Sequence, residues 1–199
     1  MTVQQRDLQF RFKGERRYVH GTDILNQTLA MLRGLGDEPR DIDISFHRLA
    51  TRQPTALWGE DAQAVEPASV CSFTAGGVRQ KLLLVERDEE VTGRYAYPED
   101  EIVRAMRVDA SSREGVLAGH PGYTEIEVLV AMTKALHQQV FPAAAGKWLF
   151  ARGRFPQYAE HLPAAARSIR IAASFNGKLT RSVATADGSP IGGIFFALA

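Results

Sequence analysis

Cysteine is nearly absent: Cys71 is alone among 199 residues. A lone thiol excludes an intrachain disulfide framework and a cysteine-built zinc site, and it fits a reducing compartment. Excess charge of either sign is also lacking, since 24 Lys+Arg face 23 Asp+Glu for a net charge of +1. With no basic run either, the electrostatic footprint of a nucleic-acid binder is missing. No stretch approaches the roughly 18 apolar residues of a membrane span. The opening segment, Met1 to Lys13, is charged and has no apolar core of a secretory leader. These absences predict a soluble, cytoplasmic protein with no nucleic-acid and no membrane partner. Motifs for dinucleotide binding, phosphate cradling, zincin chemistry and the Gly-x-Ser-x-Gly elbow do not occur. No cofactor and no metal is implied.

What is present is an ordinary globular composition, 45% hydrophobic, enough for one domain or two of about 100 residues. Leu8, Phe10 and Phe12 alternate with Gln9, Arg11 and Lys13, the period of a half-buried strand. From Thr22 the period becomes helical, with Ile24, Leu25, Thr28, Leu29 and Leu32 on one stripe, Thr22 as the expected N-cap and Asp23 in the first turn. Strands follow at Ile42 to Phe46, Ala56 to Gly59, Ser69 to Phe73 and Val78 to Val85, the last two joined by a glycine turn.

A charged stretch from Glu86 to Asp100 reads as a linker, after which the order repeats. Ile102 to Val108 is expected to be a strand, and Gly119-His120-Pro121-Gly122 precedes a helix over Thr124 to Phe141, stopped by Pro142. Trp148 onward opens a strand. Ser168 to Phe175 and Leu179 to Thr185 flank Asn176-Gly177, a strong hairpin signal, and Ile191 to Leu198 closes the chain. Thr22-Asp23-Ile24 lies over Thr124-Glu125-Ile126, and Phe73 with its turn lies over Phe175 with its turn, at a common offset. The matches keep one order along the chain, which suggests a duplicated unit. The expected division is residues 1–97 and 98–199, an α+β arrangement in which each repeat wraps an antiparallel sheet around one long central helix. A pair of ferredoxin-like units is the competing architecture, but it needs two helices per half and each half offers one.

With this order of elements the sequence resembles the hotdog superfamily in its double form, two hotdogs in one chain. Gly119-His120-Pro121-Gly122 ahead of Ile126-Glu127-Val128-Leu129-Val130-Ala131-Met132 is similar to the histidine loop and central helix of acyl-carrier-protein dehydratases. It departs from them by one missing residue between His120 and Pro121, and by Ala131, Met132, Thr133 and Lys134 where those enzymes place an acid. His20-Gly21-Thr22-Asp23 is similar to acyl-CoA thioesterase loops. The resemblance implies acyl-thioester processing, by a thioesterase or a 3-hydroxyacyl dehydratase or hydratase acting on an acyl-CoA or acyl-carrier-protein substrate. The other reading is a non-catalytic double hotdog that binds an acyl or other apolar ligand or serves as an assembly partner. The missing helix acid supports it.

Candidate catalytic residues are His20, Asp23, His120 and Glu125, with Gly21, Asn26, Gly119 and Gly122 as candidate substrate contacts. A helix start exposes amides able to hold a thioester oxygen, a histidine transfers protons, and an acid orients water. Each also has a structural reading: Thr22 and Asp23 cap a helix, Gly-His-Pro-Gly makes a turn, and Thr124 with Glu127 forms a capping box. His137 and Cys71 read as core residues. The apolar run Ile194 to Leu198 is expected to be buried on both faces, with the two repeats pairing within the chain and a homodimer as the secondary expectation.

Overall fold

The computed structural model describes residues 3–36, 38–59, 62–63, 66–119 and 121–199. The chain forms two compact units, Met1–Tyr97 and Pro98–Ala199.

In the first unit β1 (Gln4–Asp7) and β2 (Phe12–Lys13) precede α1 (Gly21–Gly34), followed by β3 (Arg40–Phe46), β4 (Arg52–Trp58), β5 (Ser69–Ala75), β6 (Val78–Glu90) and β7 (Arg94–Tyr95). The antiparallel order is β1-β4-β6-β5-β3, and β2 and β7 make a separate parallel pair. Alternation explains the core. Ile44, Cys71 and Leu82 are register partners across β3, β5 and β6, and all three are fully buried. The α1 side chains Ile24, Leu25, Leu29 and Leu32 are buried as well, the amphipathic face that the spacing predicts.

The second unit runs α2 (Glu99–Val103), β8 (Arg107–Asp109), β9 (Glu114–Ala118), α3 (Glu125–Val140), β10 (Trp148–Phe155), β11 (Ala166–Phe175), β12 (Leu179–Ala186) and β13 (Ser189–Leu198). Its antiparallel order is β10-β13-β12-β11-β9-β8. The helix α3 packs on β9, β10 and β11. Asn176 and Gly177 both take positive φ in the turn that joins β11 to β12, closed by the Lys178 amide donating to the Phe175 carbonyl at 3.0 Å, with Phe175 and Leu179 as the last register pair. In β13, Ile194 and Phe196 are buried while Phe195, Ala197 and Leu198 are half-buried, so the run has one core face rather than two.

Four expectations are corrected. The opening alternation is not one strand: Leu8 and Phe10 are buried without pairing in a strand, the Leu8 amide donating to the Pro54 carbonyl at 3.1 Å and the Gln53 amide accepting from the Phe10 N–H at 2.8 Å and donating to the Phe10 carbonyl at 2.9 Å. Between Phe10 and Lys13 the chain turns over, and Lys13 is the buried residue. The charged stretch is no linker. Glu86 to Glu90 extends β6 against β4, where Glu86 accepts from the Arg52 amide, and Arg94–Tyr95 forms β7. Ile102 sits on α2 instead of a strand, because Pro98 and the acids Glu99, Asp100 and Glu101 make a helix start. Finally, α1 is capped at His20, not Thr22: the His20 carbonyl accepts from the Asp23 and Ile24 amides, and the Thr22 hydroxyl is taken up elsewhere.

Candidate active site at the start of α1

Helix position separates the two acids that the sequence comparison aligned. Counted from the caps His20 and Thr124, Asp23 is the third helical residue of α1 and Glu125 the first of α3. Their surroundings differ as much.

The short parallel ribbon β2–β7 delivers Lys13 and Tyr95 to the first turn of α1. Lys13 Nζ, fully buried, donates to Asp23 Oδ1 at 2.9 Å and to Thr22 Oγ1 at 3.0 Å, and it lies 4.2 Å from the Tyr97 ring centroid. Tyr95 donates its phenolic hydrogen to Asp23 Oδ2 at 2.6 Å. Thr22 Oγ1 reaches Asp23 Oδ1 at 3.3 Å and His20 Nδ1 at 2.7 Å. His20 is 7% exposed, stacked on Tyr18 and tilted against Tyr97.

One proton arrangement accommodates the three contacts of the Thr22 hydroxyl. A threonine hydroxyl has one hydrogen and two lone pairs. If it accepts from Lys13 and from His20 Nδ1–H while donating to Asp23, these three contacts are satisfied together. The alternative, Thr22 donating to His20, gives up the Asp23 contact. Among the described residues no acceptor reaches the Gly21 or Thr22 amide, as a helix start leaves them. Gly21 is the first residue of α1 and Asn26, on its second turn, is half-buried.

The start of α3 is closed. Its first amides, from Glu125 and Ile126, donate to the Glu160 carbonyl at 2.7 Å and to Tyr158 Oη at 3.2 Å, and Thr124 with Glu127 completes a capping box. The Glu125 carboxylate receives three hydrogen bonds from Arg167, which spends its remaining donors on the carbonyls of Gly119, Ala164 and Leu162. Both side chains are buried. The Gly119 carbonyl is therefore engaged, and Gly122 is exposed with positive φ. His120 lies outside the described residues.

Sequence reasoning passed over Lys13, Tyr95 and Arg167. Arg167, Ile169 and Ile171 alternate, which is a readable sign that Arg167 points with the apolar face. Lys13 and Tyr95 carried no such sign, because two-residue strands leave no periodicity. His137 and Cys71 are buried as well. His137 donates from Nδ1 to the Thr133 carbonyl and contacts Thr180 Oγ1 through Nε2, with burial outweighing that bond and pulling its pKa below the usual histidine value. Burial pushes the Cys71 thiol up to about 12. Among the described residues no cluster of metal-ligating side chains occurs, and no helix is long and apolar enough to cross a membrane.

No protein-family model and no curated protein matches the chain. Solved structures do. The chain is similar to a tesB protein of Mycobacterium avium subspecies paratuberculosis (TM-score 0.56, 12% identity, 98% of this chain and 93% of that one). It is also similar to the pyran synthase domain from module nine of the sorangicin pathway (0.51, 12%, 99% and 93%) and to the 12:0-ACP thioesterase from Umbellularia californica (0.50, 10%, 99% and 97%). The fold is a hotdog. At these identities the likeness carries the fold, and the reaction has to be argued from the residues at the start of α1.

Proposed function

We propose that this hotdog chain processes acyl thioesters at the start of α1, and that its two units are hotdog repeats of which the first holds the site. The observation that carries the reading is the contrast between the two helix starts. In the first, the Gly21 and Thr22 amides point out of the helix beside a histidine whose Nδ1 is hydrogen-bonded to Thr22; in the second, amides, acid and loop carbonyl are all consumed internally.

In this reading the first-turn amides of α1 polarise the thioester carbonyl, a role for which preorganised donors are suited. His20 removes the proton, from water in a hydrolysis or from the substrate's α-carbon in a dehydration, and returns it to the departing thiolate or to the departing β-hydroxyl, which leaves as water. Asp23 is a positioning residue: it accepts from Lys13, Tyr95 and Thr22, and so holds the hydroxyl that orients His20. Lys13 opposes the carboxylate charge and makes the buried cluster neutral as a pair. The substrate is an acyl-CoA or an acyl carrier protein, and no cofactor takes part.

The test is a panel of acyl-CoA and acyl-carrier substrates of graded chain length, read for free thiol and for β-hydration. Turnover of at least one chain-length class supports the proposal. Saturable acyl binding without turnover on any substrate would replace it with the non-catalytic binder, which the engaged Glu125 of the second repeat favours.

A further inference from the structure

Glu86 opens the charged row Glu86-Arg87-Asp88-Glu89-Glu90 and is the acid in it that turns inward: its side chain is 14% exposed, against 97% for Asp88 and 47% for Glu89. Its carboxylate gathers the loop between β3 and β4. Oε1 accepts from the Thr51 amide and, at 2.8 Å, from the Arg52 amide, while Oε2 accepts from the Arg48 guanidinium. Burial alone would raise the Glu86 pKa, but the Arg48 bond and the Arg52 and Thr51 amides outweigh it and hold the pKa below the usual carboxylate value.

Ala50 lies inside that grip, between Arg48 and Thr51. It is buried, and its carbonyl accepts from the Val19 amide at 2.7 Å. Val19 is buried too and directly precedes His20. On the other side, the His20 carbonyl accepts from the Asp23 and Ile24 amides of α1. The backbone of His20 is therefore held from both directions, by the first turn of the helix after it and by the 48–52 loop before it.

We infer that Glu86 is a positioning residue for His20: by fixing the loop that carries Ala50, it sets the backbone from which the imidazole is presented at the start of α1. The inference rests on the reading of His20 as the proton-transferring group given above. Glu86 touches no reacting atom and acts through three links, its own bonds to the loop, the Ala50 carbonyl and Val19. Such an indirect role has leverage, because a misplacement of about 1 Å caused far from the chemistry costs about a hundredfold in rate. Asp88 supplies the contrast. It stands two residues along the same strand and pairs with Arg52 through the side chain, leaving the loop backbone untouched.

The experiment compares the full chain with Glu86→Ala, Glu86→Gln and Asp88→Ala in two readouts. One is steady-state turnover of the best thioester substrate. The other needs no substrate: the rate at which diethyl pyrocarbonate modifies His20, found by peptide mapping, with thiol labelling of the buried Cys71 followed on the same samples. Glu86→Ala is expected to lower kcat by about tenfold or more with KM within about twofold, and to speed His20 modification by about tenfold while Cys71 stays protected. Glu86→Gln keeps an oxygen for the Thr51 and Arg52 amides and is expected within about threefold of wild type in both. Asp88→Ala, equal in charge change, is expected to match wild type. In a His20→Gln background Glu86→Ala is expected to cost no further turnover, since the two act as one unit. Unchanged His20 modification in Glu86→Ala, an equal effect of Asp88→Ala, or loss of Cys71 protection together with His20, which would mean that the whole unit opens, overturns the inference. The thioester reading fails separately: no turnover by any form of the chain, with the contrast in His20 modification intact, removes the reaction and leaves Glu86 as the residue that positions His20.

Discussion

Tyr95 donates a 2.6 Å hydrogen bond to Asp23 across 72 residues of chain, from a two-residue strand to the first turn of a helix. With Lys13 on the paired strand it holds both carboxylate oxygens of Asp23. Tyr95→Phe removes one donor to a largely buried charge, and hydrogen bonds to charged groups contribute about 1.5–3 kcal/mol. The expected loss of unfolding free energy in urea lies in that range. A loss below about 0.5 kcal/mol would place the bond among surface contacts that contribute little.

Glu125 and Arg167 form the buried ion pair of the second unit, with all the guanidinium nitrogens satisfied. Glu125→Ala leaves a buried cation without its partner, a change that costs about 3–5 kcal/mol. The double variant Glu125→Leu/Arg167→Met is expected to recover most of that stability in thermal or urea unfolding. A single variant no less stable than the double one contradicts the structural role and returns Glu125 to the list of reactive groups.

His137 makes stability depend on pH. Burial lowers its folded-state pKa beneath the unfolded value, so below about pH 6.5 the unfolded chain binds more protons than the folded one. The contribution of neutral His137 is fully present above that pH and is lost as pH falls toward the folded pKa. Urea midpoints measured from pH 7.5 to 5 should fall for wild type. The fall should be smaller in His137→Gln, and equal falls would assign the effect to other groups.

Cys71, with its thiol at about 12 and its side chain buried between Ile44 and Leu82, is expected to be inert. A thiol-specific reagent at pH 8 should label it only in denaturant. Stoichiometric labelling of the native chain at a rate near that of a free thiol would show that β5 opens readily.

The long amphipathic helices, the Asn176-Gly177 hairpin and the core alternation of β3 were legible because each carries a strong local pattern, whereas the core face of β12 is Thr180, Ser182 and Ala184, which no hydrophobic period marks. Asp23 and His20 drew notice as candidates because they stand beside a clear helix start. The ribbon β2–β7 was not legible, since two paired residues give no period and its strands are far apart in sequence. The capping position was misjudged because a threonine hydroxyl is a good cap by type, and only the structure shows it bound by Lys13 and His20 instead. Glu86 to Glu90 looked like a linker by charge, yet an exposed strand end accepts charge on its solvent side.

The central claim is that His20 moves a proton at the start of α1. Steady-state turnover of the best thioester substrate by wild type and His20→Gln, with melting temperatures measured on the same samples, tests it most directly. General acid-base groups contribute about 10²–10⁴-fold, so turnover should fall by about a hundredfold or more with the melting temperature nearly unchanged. Retained turnover in a folded His20→Gln protein would contradict the claim.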